Sequence, residues 1–298
     1  SGRDTLDLSL KVSPAVPIRL YTGIQTRAAV DVFDSTPVSI AVGTSAGDYT
    51  EHWTGTATEG DILLDPERYY PTDGSALFIR SYHPAAPHVN GEVRYELTGQ
   101  EDLMLTDERS GSRRFDATET SLIHKHLLTQ LSFRLRVKGA PDGYSVHAVK
   151  LNGLASVAKV SLSDGEVVPV GETSSVIIYS SDDGNGIPVV DGVVTLPGFV
   201  LVQPKASLTL DMTLAPEGDP ASGQDFKDLP VSFGGEGNES GGAYDIEISL
   251  EIPVDPEEPD DPDTPEEPKE PDPFEEYQVK ITATVTPWKP GNGGNADL

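Results

Sequence analysis

Leu131-Ser132-Phe133-Arg134-Leu135-Arg136-Val137-Lys138 is the densest alternation of apolar and polar residues in the chain. A period of two puts the four apolar side chains on one face and the serine and three cations on the other, the pattern of a half-buried β-strand. Leu208, Leu210, Met212 and Leu214 form a second such row, and Tyr244, Ile246, Ile248, Leu250 and Ile252 a third. Tyr277, Val279, Ile281, Ala283 and Val285 form a fourth. Further strands are expected near 28–33, 38–43, 61–64, 76–82, 92–98, 144–151, 157–162, 175–179, 193–202 and 206–214, with turn signals such as Asp73-Gly74 and Asn90-Gly91 between them. With 29 glycines and 25 prolines in 298 residues, breaks come too often for long helices. The predicted class is all-β, with the strands in two sets that pack as two β-sandwiches in tandem.

The boundary between the sets falls in the polar stretch Thr106–Thr120, which carries Arg109, Arg113 and Arg114 and gives domains over 1–112 and 119–298. The first domain opens on a clean strand, with Leu6, Leu8, Leu10 and Val12 facing one way and Asp7, Ser9 and Lys11 the other, until Pro14 and Pro17 end the run. The second carries an insertion at 253–276. Prolines recur there at every third position from Pro253 to Pro271, the repeat of a polyproline II rod, and acids fill most of the gaps. At ~3.1 Å per residue the Pro253–Pro271 part reaches ~55–60 Å when extended. Shielding, reach and loose cation binding are all open to it.

The formal net charge is −28; residues 255–276 hold 12 acids against Lys269, a local −11, which leaves −17 for the rest. Such a surface repels nucleic-acid phosphates and anionic headgroups, so neither is an expected partner. There is no cysteine, so packing and strand pairing must hold the fold. No apolar run is long enough for a membrane helix, and a chain beginning at Ser1 reads as a processed product.

Candidate chemistry is sparse. Gly43-Thr44-Ser45-Ala46-Gly47 fits G-x-S-x-G, but the residues after it, Asp48–Gly55, have no helical period, and a glycine-rich loop between strands fits better than a nucleophile at Ser45. His124 and His126 share one face of a strand, yet two ligands without an evident third do not make a metal site, and partly buried histidines are the simpler reading. Ser181-Asp182-Asp183-Gly184-Asn185-Gly186 is rich in oxygen but lacks the spacing and closing glutamate of a calcium loop. Trp53, Tyr69, Tyr70, Tyr82 and Tyr95 form a sugar-stacking surface if exposed and core if not. The residues point to no enzyme, no cofactor and no metal.

Four stretches together resemble the fimbrillin family, the type V pilus subunits and related surface lipoproteins of Bacteroidia. They are Thr26-Arg27-Ala28-Ala29; Tyr69-Tyr70-Pro71-Thr72-Asp73-Gly74 leading to Phe78–Pro84; Asp102-Leu103-Met104 with His126–Phe133; and Val279–Trp288. The resemblance implies two transthyretin-like, Greek-key sandwiches, export as a lipid-anchored precursor, and display on the outer membrane and in a fimbrium. It implies that an Arg-directed protease removes the first strand, about residues 5–27, and that a strand from another pilus subunit fills the groove. Arg27 is the candidate cleavage site because it precedes Ala28-Ala29 and lies far enough along to release the strand; Arg19 is the alternative. Otherwise Arg27 is a charged turn residue in an unprocessed protein.

The residues after Trp288 show no alternating apolar face. Strand 277–288 must then swing out as the donor, or the subunit only accepts and is minor or tip-like. The competing reading is a surface lipoprotein that binds a glycan or matrix ligand and never polymerises.

Overall fold

The computed structural model describes residues 15–25, 33–115, 121–139, 142–233, 237–251 and 280–287. The expected strands at 5–12 and 28–33 lie outside these residues, apart from Phe33, as does the proline-rich insertion. Among the described residues the protein is all-β, and its helical content is one 3-10 turn at Pro220–Ser222. The chain divides into two compact units.

The first unit contains β1 (Leu20–Ile24), β2 (Thr36–Gly43), β3 (Glu51–Ala57), β4 (Asp61–Leu64), β5 (Leu77–His83), β8 (Arg109–Gly111) and the front of β9 (Leu122–His126). Hydrogen-bonded neighbours follow the order β8-β5-β2-β3-β4-β1-β9. Every pairing is antiparallel except β1 with β9, which is parallel. The sheet curls until β5 returns to β9, where Ser81 Oγ lies 2.7 Å from His124 Nε2. Val38, Ile40, Val42, Trp53, Ile62 and Ile79 fill the space this encloses.

The G-x-S-x-G stretch is the turn between β2 and β3. A Cβ on Gly43 would sit 1.8 Å from Asp48 O, and Gly47 has φ +73°, so both glycines are demanded by the turn. Ser45 is exposed and a strand follows it, without the helix that a nucleophile elbow requires.

The second unit contains β6 (Glu92–Glu96), β7 (Met104–Leu105), the end of β9, β10 (Thr129–Lys138), β11 (Tyr144–Ser161), β12 (Val167–Ser180), β13 (Ile187–Pro188), β14 (Gly192–Thr195), β15 (Val200–Val202), β16 (Leu208–Pro216), β17 (Gln224–Ser232), β18 (Ala243–Glu251) and β19 (Lys280–Pro287). Its sheet follows β12-β11-β16-β17-β19-β18-β10-β14, with β6 and β13 on β11 and β15 on β10. β10 and β18 run parallel in register from Gln130↔Ala243 to Lys138↔Glu251. That register sets Leu131 beside Tyr244, Phe133 beside Ile246, Leu135 beside Ile248 and Val137 beside Leu250, all in one core with Leu208, Leu210, Met212 and Leu214. On the other face Glu247 accepts from Arg134 Nε and Arg136 Nε at 2.8 Å each. The Arg136 bond, then that of Arg134, holds the Glu247 carboxyl below its usual range.

β11 replaces two expected strands, 144–151 and 157–162, with one of 18 residues. Gly153, which reads as a break, is a bulge: its φ is +102° and a Cβ there would lie 2.2 Å from Ser207 O. Past the bulge the strand leaves β16 and pairs with β6. The expected strand at 193–202 divides into β14 and β15 around Pro197-Gly198.

Candidate functional site

Pro17–Gln25 holds a strand of the first unit that is paired on both sides. Pro17 bridges to Tyr69, Ile18 N donates to Arg68 O (2.8 Å), and Thr22 N donates to Gly60 O (2.9 Å). β1 lies between two neighbours, with Leu20 opposite Ile62 on β4 and Thr22, Gly23 and Ile24 opposite Leu122, Ile123 and His124 on β9. Ile18, Leu20 and Thr22 point inward, exposed by 5%, 3% and 6%, while Arg19 and Tyr21 point to solvent. This is the alternation of a half-buried strand whose third inward place is polar.

Thr22 has its inward place because a buried imidazole faces it. His124 is fully buried. Thr22 Oγ1 donates to Leu122 O at 2.9 Å and lies 3.0 Å from His124 Nδ1, which also lies 3.2 Å from Gly23 O. With its own proton on Leu122 O, the threonine oxygen accepts from Nδ1–H. Nε2 then accepts from the Ser81 hydroxyl at 2.7 Å, so the partners assign the neutral Nδ1–H tautomer. The Phe33 ring packs edge-on against the imidazole at 4.9 Å.

His126 belongs to the second unit. Its Nδ1 lies 2.9 Å from Asp102 Oδ1 and its Nε2 2.9 Å from Gln25 O. Both side chains are 3% exposed. No acid stands at an obvious distance from the pair in the sequence; the structure supplies one to His126 in Asp102, 24 residues away. The two histidines share a face of β9 but have separate partners. Among the described residues no cluster of three or more His, Cys, Asp or Glu side chains could hold a metal ion. Ser181–Gly186 is a turn in which Asp183 accepts from Asn185 N at 2.9 Å.

The aromatic set does not form a sugar platform. Trp53, Tyr70 and Tyr82 are 6%, 3% and 1% exposed, and Tyr95, in the second unit, 8%. The Arg68 guanidinium covers the Trp53 ring at 5.1 Å from its centroid. Tyr69 is the exposed one of the five, on a cleft of about 500 Å³, with its hydroxyl on Glu67. Tyr82 instead ties down the loop after β5 by donating to Ala86 O, while Ala86 N donates to Ser39 Oγ at 2.9 Å. Burial pushes the Tyr82 phenol up to about 12; burial, then the neighbouring His88, lowers the pKa of His52.

Of the expected site residues, Leu6, Leu8, Leu10, Val12 and Arg27 lie outside the described residues. Arg19 is exposed just ahead of β1. Ile18, Leu20 and Thr22 lie inside the first strand expected over about residues 5–27, but the inward row was assigned to Leu6, Leu8, Leu10 and Val12, with Pro14 and Pro17 ending it, although Ile18-Arg19-Leu20-Tyr21-Thr22 also alternates.

Solved structures share this fold across almost their whole length. One, a protein assigned to cell adhesion from Bacteroides uniformis ATCC 8492, is 17% identical with a TM-score of 0.58, over 92% of this chain and 99% of its own. Another so assigned, from Bacteroides ovatus ATCC 8483, is 14% identical with a TM-score of 0.54, over 93% and 99%. A fimbrial protein from Bacteroides vulgatus ATCC 8482 is 10% identical with a TM-score of 0.51, over 91% and 98%. At these identities the likeness is one of fold. No curated protein matches the chain. The model of the family described as fimbrillin-like matches residues 22–288, nearly the whole sequence, and the chain therefore belongs to the fimbrillin-like family.

Proposed function

We propose that this fimbrial, adhesion-type protein of the cell surface is a subunit that accepts a strand from a neighbouring subunit in place of β1, after cleavage at Arg27. The observation that carries the reading is the position of β1, paired on both sides and ending three residues before Arg27. Cleavage there separates β1 from everything downstream. Its departure uncovers two backbone edges and the pockets of Ile18 and Leu20, each worth ~1.5–3 kcal/mol when filled. An open edge beside an apolar groove is a template for strand addition. A cut at Arg19 leaves Leu20–Ile24 attached downstream, which favours Arg27.

The C-terminal strand β19 pairs with β18 on one side and with β17 on the other. That two-sided seating weighs against its swinging out and supports an accepting, minor or tip-like place. In this reading each unit is one transthyretin-like sandwich, the first drawn mainly from the expected domain 1–112 and the second mainly from 119–298, with Glu92–Leu105 belonging to the second and Thr106–His124 to the first, and a lipid anchor holds the precursor at the outer membrane. The protein performs no catalysis; a host or bacterial surface ligand is its distal partner. The burial of Trp53, Tyr70 and Tyr82 removes the support for a sugar-binding, non-polymerising lipoprotein.

Limited digestion with an Arg-specific protease tests the reading. The expected result is a cut after Arg27 and capture of an added peptide of residues 16–25 in an SDS-resistant complex, with Arg27→Ala capturing none. Protein that is cut there and captures no peptide defeats it.

A further inference from the structure

The seat of β1 is not a uniform apolar groove. Two of its three inward places, those of Ile18 and Leu20, take hydrocarbon. The third is built around His124, fully buried, whose Nε2 is engaged by Ser81 from the opposite side. What that ring meets at Nδ1 comes from the strand in the seat: the Thr22 hydroxyl at 3.0 Å and, farther off, Gly23 O at 3.2 Å. Any strand brings a backbone carbonyl. The hydroxyl is specific to the side chain, and it serves two groups, since it also donates to Leu122 O at 2.9 Å.

A strand that puts valine at this point has the right shape and fails both groups. It takes the 3.0 Å acceptor from a buried imidazole and the hydroxyl donor from a buried carbonyl, and hydrogen bonds lost from buried polar groups are costly. Serine satisfies both. The following place is narrow as well: a Cβ on Gly23 comes 3.0 Å from Ile123 Cδ1, the flexible end of a side chain that has to yield.

We propose that His124 is a specificity-determining residue of the strand seat, which selects an incoming strand of the form apolar-x-apolar-x-Thr/Ser, with glycine or another small residue next. The inference rests on the strand-exchange reading above and adds to it the chemistry of the partner. The occupant is an extended segment of another subunit that carries a hydroxyl in register with Leu122 and His124. The sequences Ile281-Thr282-Ala283-Thr284-Val285 and Leu6-Asp7-Leu8-Ser9-Leu10-Lys11-Val12 place an apolar residue wherever an in-phase hydroxyl is needed, so neither is a good match. The segment now in the seat, Ile18-Arg19-Leu20-Tyr21-Thr22-Gly23, is one.

The test uses the full chain, nicked after Arg27, with the protease then inhibited. Fluorescent peptides with the sequence of residues 16–25, all carrying Arg19→Lys, are added with threonine, serine or valine at position 22, and binding is followed by anisotropy. Threonine and serine peptides are expected to bind within a few-fold of each other and the valine peptide on the order of 10-fold more weakly. In a His124→Leu acceptor the preference is expected to vanish or reverse. Should that acceptor not fold, the three peptides on the native seat decide alone. A valine peptide that binds the native seat as tightly as threonine overturns the selection rule and leaves strand exchange standing. If no peptide binds, strand exchange itself falls and the rule falls with it.

Discussion

Tyr82 shows what enclosure does to a single side chain. Its phenol is 1% exposed and donates to Ala86 O, and burial raises its pKa from 10.0 to about 12. Tyr49 moves the same way, through burial first and then its bond to Glu108. A phenol that holds its proton more tightly folded than unfolded contributes stability that is whole below pH ~10 and is lost as pH climbs through the folded value. Urea titrations are therefore expected to show stability falling between pH 10 and 12. In Tyr82→Phe that fall is shallower by ~2 kcal/mol, against a loss of ~1 kcal/mol at neutral pH for the missing hydrogen bond. Equal slopes in variant and wild type contradict the assignment. At this scale the sequence was least informative. Tyr82 was readable as core or as sugar platform, and the Asp102–His126 pair, 24 residues apart, has no local signature.

Strands carry the fold, and what each contributes depends on how many of its faces are covered. Leu135 on β10 is 1% exposed, and Ile177 on β12 is 67% exposed. Leu135→Ala is expected to cost ~2–5 kcal/mol and Ile177→Ala less than ~0.5, read as the shift in denaturant midpoint; similar losses at both would refute this account of the core. Legibility followed the same division. β10, β16 and β18 have one dry face, so their alternation was plain in the sequence. β11 was expected as two strands, 144–151 and 157–162; between them Gly153 kinks a continuous strand toward a second partner. β1 lies within the first strand expected over about residues 5–27, but its own inward row was not picked out; that row is short, and the polar side chain at its third place, Thr22, is the one that answers His124.

The whole molecule is strongly acidic, at −28, so a donor strand that carries acids of its own is repelled as it approaches. Screening shortens that repulsion, with a Debye length of ~10 Å at 0.1 M salt against ~30 Å at 0.01 M. Capture by the nicked protein of a peptide of residues 16–25 carrying an aspartate tail is therefore expected to be several-fold faster at 0.3 M than at 0.01 M sodium chloride, measured by anisotropy. A rate that is indifferent to salt, or slower, would mean that charge does not limit the encounter.

The parallel pairing of β1 with β9 has one more consequence. A ribbon laid along β9 in the reverse sense cannot reproduce that ladder of bonds, so whatever occupies the slot is admitted in one orientation only. Links made this way are head-to-tail and unsymmetrical, and they do not close on themselves as a two-fold dimer does. A fibre built from them has a front and a back, and it lengthens vectorially, each arrival fixing the direction of the next.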